Sequence, residues 1–379
     1  MKLVKLSVAA AMAAGLATTA SATDLTEAIQ GVTLDGYVRY RMNEVSNDNS
    51  GVEREHHYKV RVGANIPVND AVSANIMIGN TAQSLPSKAD ADEKAYTNPG
   101  GADVFHANFQ YTGVEGLTVI AGKQDIPTPF TDENHGNGAL AMYNAGPVTV
   151  AAAAFDNHNA FGDDPVDPNF QSLNAQNIYA AGIIGSVDMV NFSAWYANHV
   201  DVLDAYSIHA DVAPIDGVTV GARFSVLDID KDLSASGSSD KNRLWQVYAD
   251  ADMSAMGVEG LNARAAYAQT NKSENADYSI AYNSDAEADF QLEQISLGGT
   301  NNAKAFLVGA GYTVADFTFD LDYLNVNLDT GRVTETVPAI TYQMSDNFYA
   351  KALYSSTNYS SAADMDDQDL TRVELRYDF

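Results

Sequence analysis

The sequence predicts an all-β protein, a transmembrane antiparallel β-barrel of about 18 strands. Three observations predict this fold: strict alternation over residues 371–379, amphipathic segments of about ten residues throughout, and short turns that alternate with long polar loops. Successive side chains of a strand point to opposite faces, so a wall between lipid and water alternates apolar and polar residues. The mean hydropathy of −0.19 suits such a wall, in which only alternate residues face lipid.

The N-terminal residues have the layout of a secretory signal peptide. Lys2 and Lys5 precede an apolar run at residues 6–16, which is followed by Ala20-Ser21-Ala22. The apolar run is shorter than the roughly 20 residues that a spanning helix needs. We therefore predict cleavage after Ala22. This divides the chain into a signal peptide at residues 1–22 and a single barrel domain at residues 23–379.

Eighteen segments of the remaining chain alternate as membrane strands do. Sixteen are clear: residues 33–43, 56–67, 71–80, 117–124, 147–156, 177–187, 189–199, 205–213, 218–227, 244–252, 258–270, 303–313, 317–326, 335–343, 347–356 and 369–379. Two are weaker, at residues 102–112 and 138–145. Loss of one uncertain hairpin would reduce the count to 16 strands. Either even number places both termini at the same side of the membrane.

The connections between these segments fall into a short set and a long set. The short set, such as Pro67-Val68-Asn69-Asp70, is rich in Gly, Pro, Asn and Asp, as tight turns require. The long set, such as residues 81–101 and 271–302, is polar. The two sets alternate with one expected exception, the short loop between His199 and Ala205. This asymmetry is typical of outer-membrane barrels, which have short periplasmic turns and long outer loops.

Basic side chains gather where the barrel is expected to close. In a closed barrel the last strand pairs with the first, so the final two and first two strands form one wall. Alternation directs seven basic residues of this wall inward, a third of the 21 Lys and Arg residues. We predict that the basic side of the pore consists of Arg39, Arg41, Lys59, Arg61, Lys351, Arg372 and Arg376. The alternative is that each cation simply pairs locally, with Asp35, Glu374 or Asp378.

The third loop is predicted to fold into the lumen. Residues 125–138 contain two prolines and two glycines, which argue against a continuous strand. They follow the fifth strand, after which trimeric porins fold a loop inward to narrow the pore. Asp125, Asp132 and Glu133 would give this loop a negative surface opposite the basic wall. The alternative is an ordinary outer loop.

Composition and motifs exclude several other classes of function. The net charge of −29 argues against nucleic acid and anionic membrane surfaces as partners. The seven histidines are scattered, and the sequence has no usable zinc-protease, serine-hydrolase, phosphate-binding or dinucleotide motif, so we predict no enzyme and no cofactor. Two acidic loop clusters, Asp163-Asp164 with Asp167 and Asp364 with Asp366-Asp367, have the oxygen chemistry that Ca²⁺ prefers. Solvated loop charge is the more ordinary interpretation of both clusters.

Several short motifs resemble the major outer membrane porin family of Campylobacter and its relatives. They are Met1-Lys2-Leu3-Val4-Lys5-Leu6-Ser7, Leu25–Ile29, Val38-Arg39-Tyr40-Arg41, Val119–Gln124 and Thr131–Gly136. In the last motif Glu133 and Asn134 stand where the family has Asn and Ala, and the acid before the glycine is missing. The terminal Phe379 also matches. The resemblance implies an 18-stranded barrel, a homotrimer, and a cation-preferring general porin with an infolded third loop.

These observations predict a channel in the outer membrane of a Gram-negative bacterium. Ions and small hydrophilic solutes would cross it by passive diffusion, and charges on the wall would sort the ions. Net negative charge around the mouths would enrich cations. The expected partners are outer-membrane lipid and lipopolysaccharide, and the assembly machinery that in related barrels uses a terminal aromatic such as Phe379. The alternatives are a surface-exposed adhesin or structural barrel, and a substrate-specific diffusion channel.

Overall fold

The computed structural model describes most of the chain after the N-terminal residues. The described residues are 31–47, 51–80, 83–86, 102–131, 134–158, 176–230, 240–272, 290–297, 300, 302–360 and 366–379. The expected cleavage site at Ala22 lies outside them, as do Asp132 and Glu133 of the third loop. The acidic cluster at residues 163–167 and the first member of the second cluster, Asp364, also lie outside them.

In the part of the chain that the structure describes, nineteen β-strands form one antiparallel sheet that closes on itself. In chain order they are β1 (Thr33–Asn47), β2 (Gly51–Asn69), β3 (Val72–Gly79), β4 (Gln83–Pro86), β5 (Asp103–Val114), β6 (Leu117–Asp125), β7 (His135–Asn144), β8 (Val148–His158), β9 (Ile178–Val187), β10 (Val190–His199), β11 (Leu203–Ile215), β12 (Val218–Ile229), β13 (Asp240–Asp252), β14 (Leu261–Thr270), β15 (Lys304–Val314), β16 (Phe317–Leu328), β17 (Gly331–Ser345), β18 (Phe348–Tyr359) and β19 (Gln368–Asp378). Closure is made by β1, which pairs with β19 along one edge and with β2 along the other.

The barrel has eighteen strand positions around its circumference, because β3 and β4 share one position. The C-terminal part of β2, from Arg61 to Asn69, pairs with β3. The preceding part, from Glu55 to Tyr58, pairs with β4. Strand β5 pairs with β3. The predicted eighteen-strand barrel is confirmed. The two weakly predicted strands are present as β5 and β7.

The strands continue further than their apolar alternation does. β1 and β2 have 15 and 19 residues, whereas a strand needs only about 9–11 residues to cross the hydrocarbon layer. Their extension is polar, and Arg54 Nε donates to Glu44 Oε2 at 2.9 Å across it. Beyond the hydrocarbon layer, strand pairing no longer requires apolar outward residues, so the alternation ends before the hairpin does.

This extension corrects one expectation about the connections. The loop between β10 and β11 is short, as expected, but it is not alone. The connection from Asn47 to Gly51 joins β1 to β2, and Leu328 pairs directly with Gly331 between β16 and β17. Three connections are therefore tight at the end of the barrel that carries the long loops. We call the end with the long loops the loop end, and the opposite end the turn end.

Connections at the turn end are short and use backbone conformations that favour glycine. Gly116 and Gly217 have φ angles of 76° and 77°, a region that a Cβ atom disfavours. A single 3₁₀ turn, Met253–Met256, connects β13 to β14, and the Asp252 side chain accepts a hydrogen bond from Ser254 N–H at its start. Within the described ranges, we find no helix of the length and apolar character needed to cross a membrane.

The two faces of the wall differ in how well they are covered. On neighbouring strands, exposed Val150 and Tyr179 alternate with Ala151 and Ala180, which are 3% and 6% exposed. The exposed residues are apolar and form the outer face of the barrel. The buried residues therefore belong to the inner face, which means that chain inside the barrel covers them. Among the described residues, two connections contribute to this cover, and they define the candidate site.

Candidate functional site

The third connection at the loop end joins β6 to β7, and its residues 126–131 form a compact turn that is held by hydrogen bonds within the connection. Ile126 N–H donates to Asn134 O at 2.9 Å, and Thr131 Oγ1 donates to Ile126 O at 2.7 Å. Pro127 and Pro129 flank the turn and cannot donate to a sheet ladder. The sequence therefore leaves the sheet here and folds back on itself, instead of continuing β6.

This third connection packs against the inner face of the barrel. Ile126 and Phe130 are 2% and 5% exposed, and they belong to one apolar cluster with inner-face residues of β7 to β12. The inner-face members include Leu140, Ala151, Phe155, Ala180, Leu203 and Leu227. Burial of two large apolar side chains contributes several kcal/mol at about 1.5–3 kcal/mol each, which anchors the turn inside.

A second infolded segment was not anticipated from the sequence. Glu335 of β17 is completely buried, and its carboxylate accepts hydrogen bonds from the backbone N–H groups of Glu293, Gln294 and Ile295 at 3.0–3.1 Å. Ser355 Oγ also donates to this carboxylate, at 2.6 Å. Residues 290–297 of the seventh connection, between β14 and β15, therefore sit on a buried carboxylate of the barrel wall. We call them the seventh-connection segment.

Apolar packing supports the same segment. Phe290 and Leu297 are buried with Leu244, Ala268 and Leu324 of the inner face. In the sequence, residues 271–302 are polar enough to be interpreted as an outer loop. The available signal was a concentration of apolar residues at positions 290, 292, 295 and 297, which an entirely solvated loop does not need.

The predicted basic residues are neighbours across the closing strands. Arg39 of β1 lies directly opposite Arg376 of β19 on one side and Lys59 of β2 on the other. Like charges that face each other across strands destabilise a sheet. These three cations in one row therefore destabilise the folded sheet.

Carboxylates from the same strands offset part of this cost. Arg41 Nε donates to Glu374 Oε2 at 2.7 Å, and Tyr349 Oη donates to the same carboxylate at 2.7 Å. Arg376 Nη2 donates to Asp378 at 2.8 Å, and its guanidinium lies over the Tyr37 ring at 4.3 Å from the centroid. Arg41 and Arg376 thus have the local partners that the alternative interpretation expected.

Arg372 has a different partner, supplied from inside the barrel. Its guanidinium forms an ion pair with Glu293 of the seventh-connection segment, and its Nε donates to Asn43 Oδ1 at 2.8 Å. Lys351 of β18 lies opposite Glu374 in the register. The acidic group that pairs with Arg372 therefore belongs to the seventh connection.

Asp125 stands at the end of β6, where two histidines approach it. Its Oδ1 atom is 3.0 Å from His106 Nε2 and 3.1 Å from His135 Nε2. The His135 ring packs on the Phe105 ring with 4.9 Å between centroids. The Arg61 guanidinium lies over the Phe105 ring, 4.5 Å from its centroid. Asp125 and Arg61 are thus connected through the rings of His135 and Phe105.

The seventh-connection segment, the closing strands and β14 to β18 together line an interior cavity of about 700 Å³. Four cations and three carboxylates contribute to its lining, namely Arg41, Arg264, Lys351, Arg372, Glu293, Asp320 and Asp322. We call the closing strands β1, β2, β18 and β19 the seam. Arg264 and Asp322 form an ion pair at 3.0 Å on the wall away from the seam. The cavity is therefore polar and carries both signs of charge, as a path for hydrated ions requires.

Comparison with known proteins decides the family. A family model described as the Campylobacter major outer membrane protein matches residues 1–379. The chain belongs to this family. The expected family is therefore confirmed, and membership together with the barrel makes the chain a porin of the outer membrane. No curated protein matches the chain.

Solved structures similar to this family member are also barrels. Pseudomonas aeruginosa OccK3 (OpdO) is 13% identical with a TM-score of 0.70, and 94% of this chain and 97% of that chain are covered. Acinetobacter baumannii OccAB1 is 11% identical with a TM-score of 0.71 and coverage of 92% and 96%. Pseudomonas aeruginosa OpdK, crystallised with vanillate, is 12% identical with a TM-score of 0.69 and coverage of 92% and 99%. At these identities the likeness shows the fold alone.

Phe379 of this outer membrane protein lies at the seam. Its N–H donates to Gly36 O at 3.0 Å, and Gly36 N–H donates to Phe379 O at 3.2 Å. These two hydrogen bonds extend the pairing of β19 with β1 to the last residue. The Phe379 ring stacks with Tyr377 at 6.1 Å between centroids. The C-terminal residue thus contributes both backbone pairing and aromatic surface at the turn end.

Proposed function

We propose that the channel passes ions and small hydrophilic solutes by passive diffusion. The observation that carries this proposal is the polar interior cavity between the seventh-connection segment and the seam, which lies inside a barrel of a porin family. Solutes would be limited in size by the two infolded connections and sorted by the charges that face them. The family and the fold support a channel in preference to an enzyme.

We also propose that the channel prefers cations. The net charge of −29 creates a negative potential that enriches cations near the mouths. Inside, Glu374, Glu293 and Asp378 pair with Arg41, Arg372 and Arg376, which weakens the attraction for anions. We assign the acidic side of the constriction to Asp125, Asp132 and Glu133, and its basic side to the seven seam residues.

Recording from the purified protein in a planar bilayer tests both proposals. We expect stepwise conductance increments and, under a KCl gradient, a reversal potential of the sign set by K⁺. A silent barrel would favour the adhesin or structural alternative, and an anion-signed potential would contradict the cation preference.

A substrate-specific channel is a second candidate, favoured by one observation. The row formed by Arg39, Arg376 and Lys59 concentrates cations that would suit a carboxylate solute. OpdK, which shares the barrel architecture, was crystallised with the carboxylate vanillate. Saturable block of the ionic current by small carboxylates would favour this candidate, whereas a linear dependence on solute concentration would favour general diffusion.

Three further proposals concern processing and assembly. We propose that residues 1–22 are removed after export, that three copies assemble in outer-membrane lipid and lipopolysaccharide, and that the assembly machinery recognises the C-terminal strand at Phe379. Mass spectrometry of the mature N-terminus would test cleavage after Ala22. Light scattering of the detergent-solubilised protein would test the trimer.

A further inference from the structure

Two histidines and a carboxylate converge inside the barrel at the root of the third connection. They are His106 of β5, Asp125 of β6 and His135 of β7, and each offers one ligand atom. The three ligand atoms all lie within 4.8 Å of one another. We propose that this cluster binds a divalent transition-metal ion such as Zn²⁺.

The sheet itself brings these side chains together. Asp125 and His135 are direct partners in the register of β6 and β7. On β5, the pairing with β3 shifts between His106 and Val104, so Phe105 is an extra residue in the strand. Such bulges redirect side chains and occur next to functional sites. Here the bulge accompanies the approach of both His106 and Phe105 to His135.

The distances between ligand atoms suit a small tetrahedral ion. Zinc bonds of about 2.0–2.1 Å to nitrogen and oxygen place the corners of a tetrahedron about 3.3 Å apart. Asp125 Oδ1 lies 3.0 Å from His106 Nε2 and 3.1 Å from His135 Nε2. If each Nε2 atom moved a few tenths of an ångström away from Asp125 Oδ1, both distances would therefore match those between the ligand atoms of a tetrahedral ion.

The chemistry of the ligands selects the class of metal. Imidazole nitrogen suits Zn²⁺, Cu²⁺ and Ni²⁺, whereas Ca²⁺ and Mg²⁺ take oxygen ligands almost entirely. Both Nε2 atoms are shielded from solvent, but the Asp125 side chain is 57% exposed and lines an interior cavity of about 360 Å³. An ion could therefore enter from the lumen, and a fourth coordination position would remain open to water.

Ring packing restricts how far the ligands can move. The His135 ring packs against Phe105, at 4.9 Å, and against His106, at 5.7 Å between centroids. His135 is only 4% exposed, so its ring has little room to rotate. Ligands that are already ordered lose little conformational entropy on binding. The Arg61 guanidinium above Phe105 opposes a further cation, which favours reversible binding over tight binding.

The test is titration of the folded, detergent-solubilised protein with Co²⁺, followed by competition with Zn²⁺ in excess Ca²⁺. The visible spectrum of Co²⁺ reports the coordination geometry, and excess Ca²⁺ occupies clusters of carboxylates elsewhere. The variants are His106→Gln, Asp125→Asn and His135→Gln. His209→Gln is the matched control, because His209 is also a half-buried histidine near a carboxylate, with its Nε2 atom 4.0 Å from Asp211.

We expect a single Co²⁺ per chain that Zn²⁺ displaces and Ca²⁺ does not. Each of the three variants should weaken Zn²⁺ binding by roughly tenfold or more, since loss of even an outer-shell partner costs about 10–100-fold. The control should bind as the parent does. Equal affinity in all variants, or displacement by Ca²⁺, would overturn the proposal. If His135→Gln does not fold, as judged by circular dichroism, the exposed-site variant Asp125→Asn decides the outcome.

This binding test does not depend on the proposed ion selectivity, because it measures the metal and not the current. A bound divalent ion would, however, replace the negative charge of Asp125 with net positive charge at the root of the third connection. Zn²⁺ would then reduce the cation current of the parent but not that of Asp125→Asn.

Discussion

Glu335 is a completely buried carboxylate that holds a connection against the barrel wall. Its four donors are three backbone N–H groups of the seventh-connection segment and Ser355 Oγ. Hydrogen bonds to a charged group contribute about 1.5–3 kcal/mol each, and their donors would need new partners if the carboxylate were lost. The side chain therefore anchors residues 290–297 inside the lumen, together with the apolar packing of Phe290 and Leu297.

Replacement of this carboxylate should release the segment and leave the barrel closed. We expect Glu335→Ala to increase single-channel conductance and current noise, because the strand ladders do not depend on the seventh connection. Amide hydrogen exchange at Gln294 and Ile295 should accelerate by at least roughly tenfold, corresponding to about 1.4 kcal/mol. Glu259→Ala, at an exposed turn, is the matched control. Unchanged exchange at these amides would contradict the anchoring role.

Charge variants test the acidic side and the basic side of the proposed constriction independently. Neutralisation of Asp132 and Glu133 together should lower the cation preference, because it removes two negative charges near the path. Neutralisation of Arg41 and Arg61 should raise it and relax the size limit. Arg41→Gln also removes the Arg41 hydrogen bond to Glu374, which keeps the one from Tyr349. Reversal potential under a KCl gradient is the measurement. If both pairs leave it unchanged, these residues do not set the selectivity.

At the scale of whole elements, the strands were predictable because their signal is local. Alternation over residues 369–379 directs Val373 and Leu375 outward, and both are exposed apolar residues on β19. Turn residues such as Gly116 and Gly217 mark the turn end for an equally local reason. Each element can thus be found from its own residues, and closure of the sheet then follows from the pairing of neighbours.

The candidate site was less predictable because its contacts are distant in sequence. Glu293 and Arg372 form an ion pair across 79 positions, and Glu335 accepts from amides 40 to 42 positions away. Neither contact leaves a periodic pattern. The third connection was easier to find, since Pro127 and Pro129 interrupt the strand visibly. Similarly, the convergence of His106 and His135 on Asp125 depends on the register of three strands, which scattered histidines do not reveal.

The pairing between β1 and β19 continues to Phe379. Phe379 makes two backbone hydrogen bonds with Gly36, and its ring adds apolar area that is worth only a few kcal/mol. We expect deletion of Phe379 to reduce outer-membrane yield far more than this energy implies, if the assembly machinery also recognises the residue. Phe319→Ala, which removes an exposed aromatic from β16, is the control. Normal yield of the truncated chain would count against recognition.

At the scale of the whole molecule, two distributions of charge act over different distances. The net charge of −29 is spread through the chain and acts at the mouths across water. The seam cations and their partners act inside, where Arg41 and Glu374 are within hydrogen-bonding distance. Exposed charges are screened beyond the Debye length, which is about 10 Å at 0.1 M salt and about 3 Å at 1 M. Partly buried charges in a narrow path are screened much less.

Ion selectivity should therefore have a salt-sensitive part and a salt-resistant part. We expect the cation preference of the parent to fall as KCl rises from about 0.1 M to about 1 M, because the field of the mouths is screened first. The preference that persists at high salt should come from the constriction. The double variant of Asp132 and Glu133 should then lose mainly this persistent part, whereas acidic residues removed from the long loops should affect only the part seen at low salt.

The measurement is the reversal potential at a fixed KCl ratio over a series of absolute concentrations. A preference that is independent of salt in the parent would contradict the contribution of the mouths. A double variant that differs from the parent only at low salt would place Asp132 and Glu133 at a mouth instead of in the constriction.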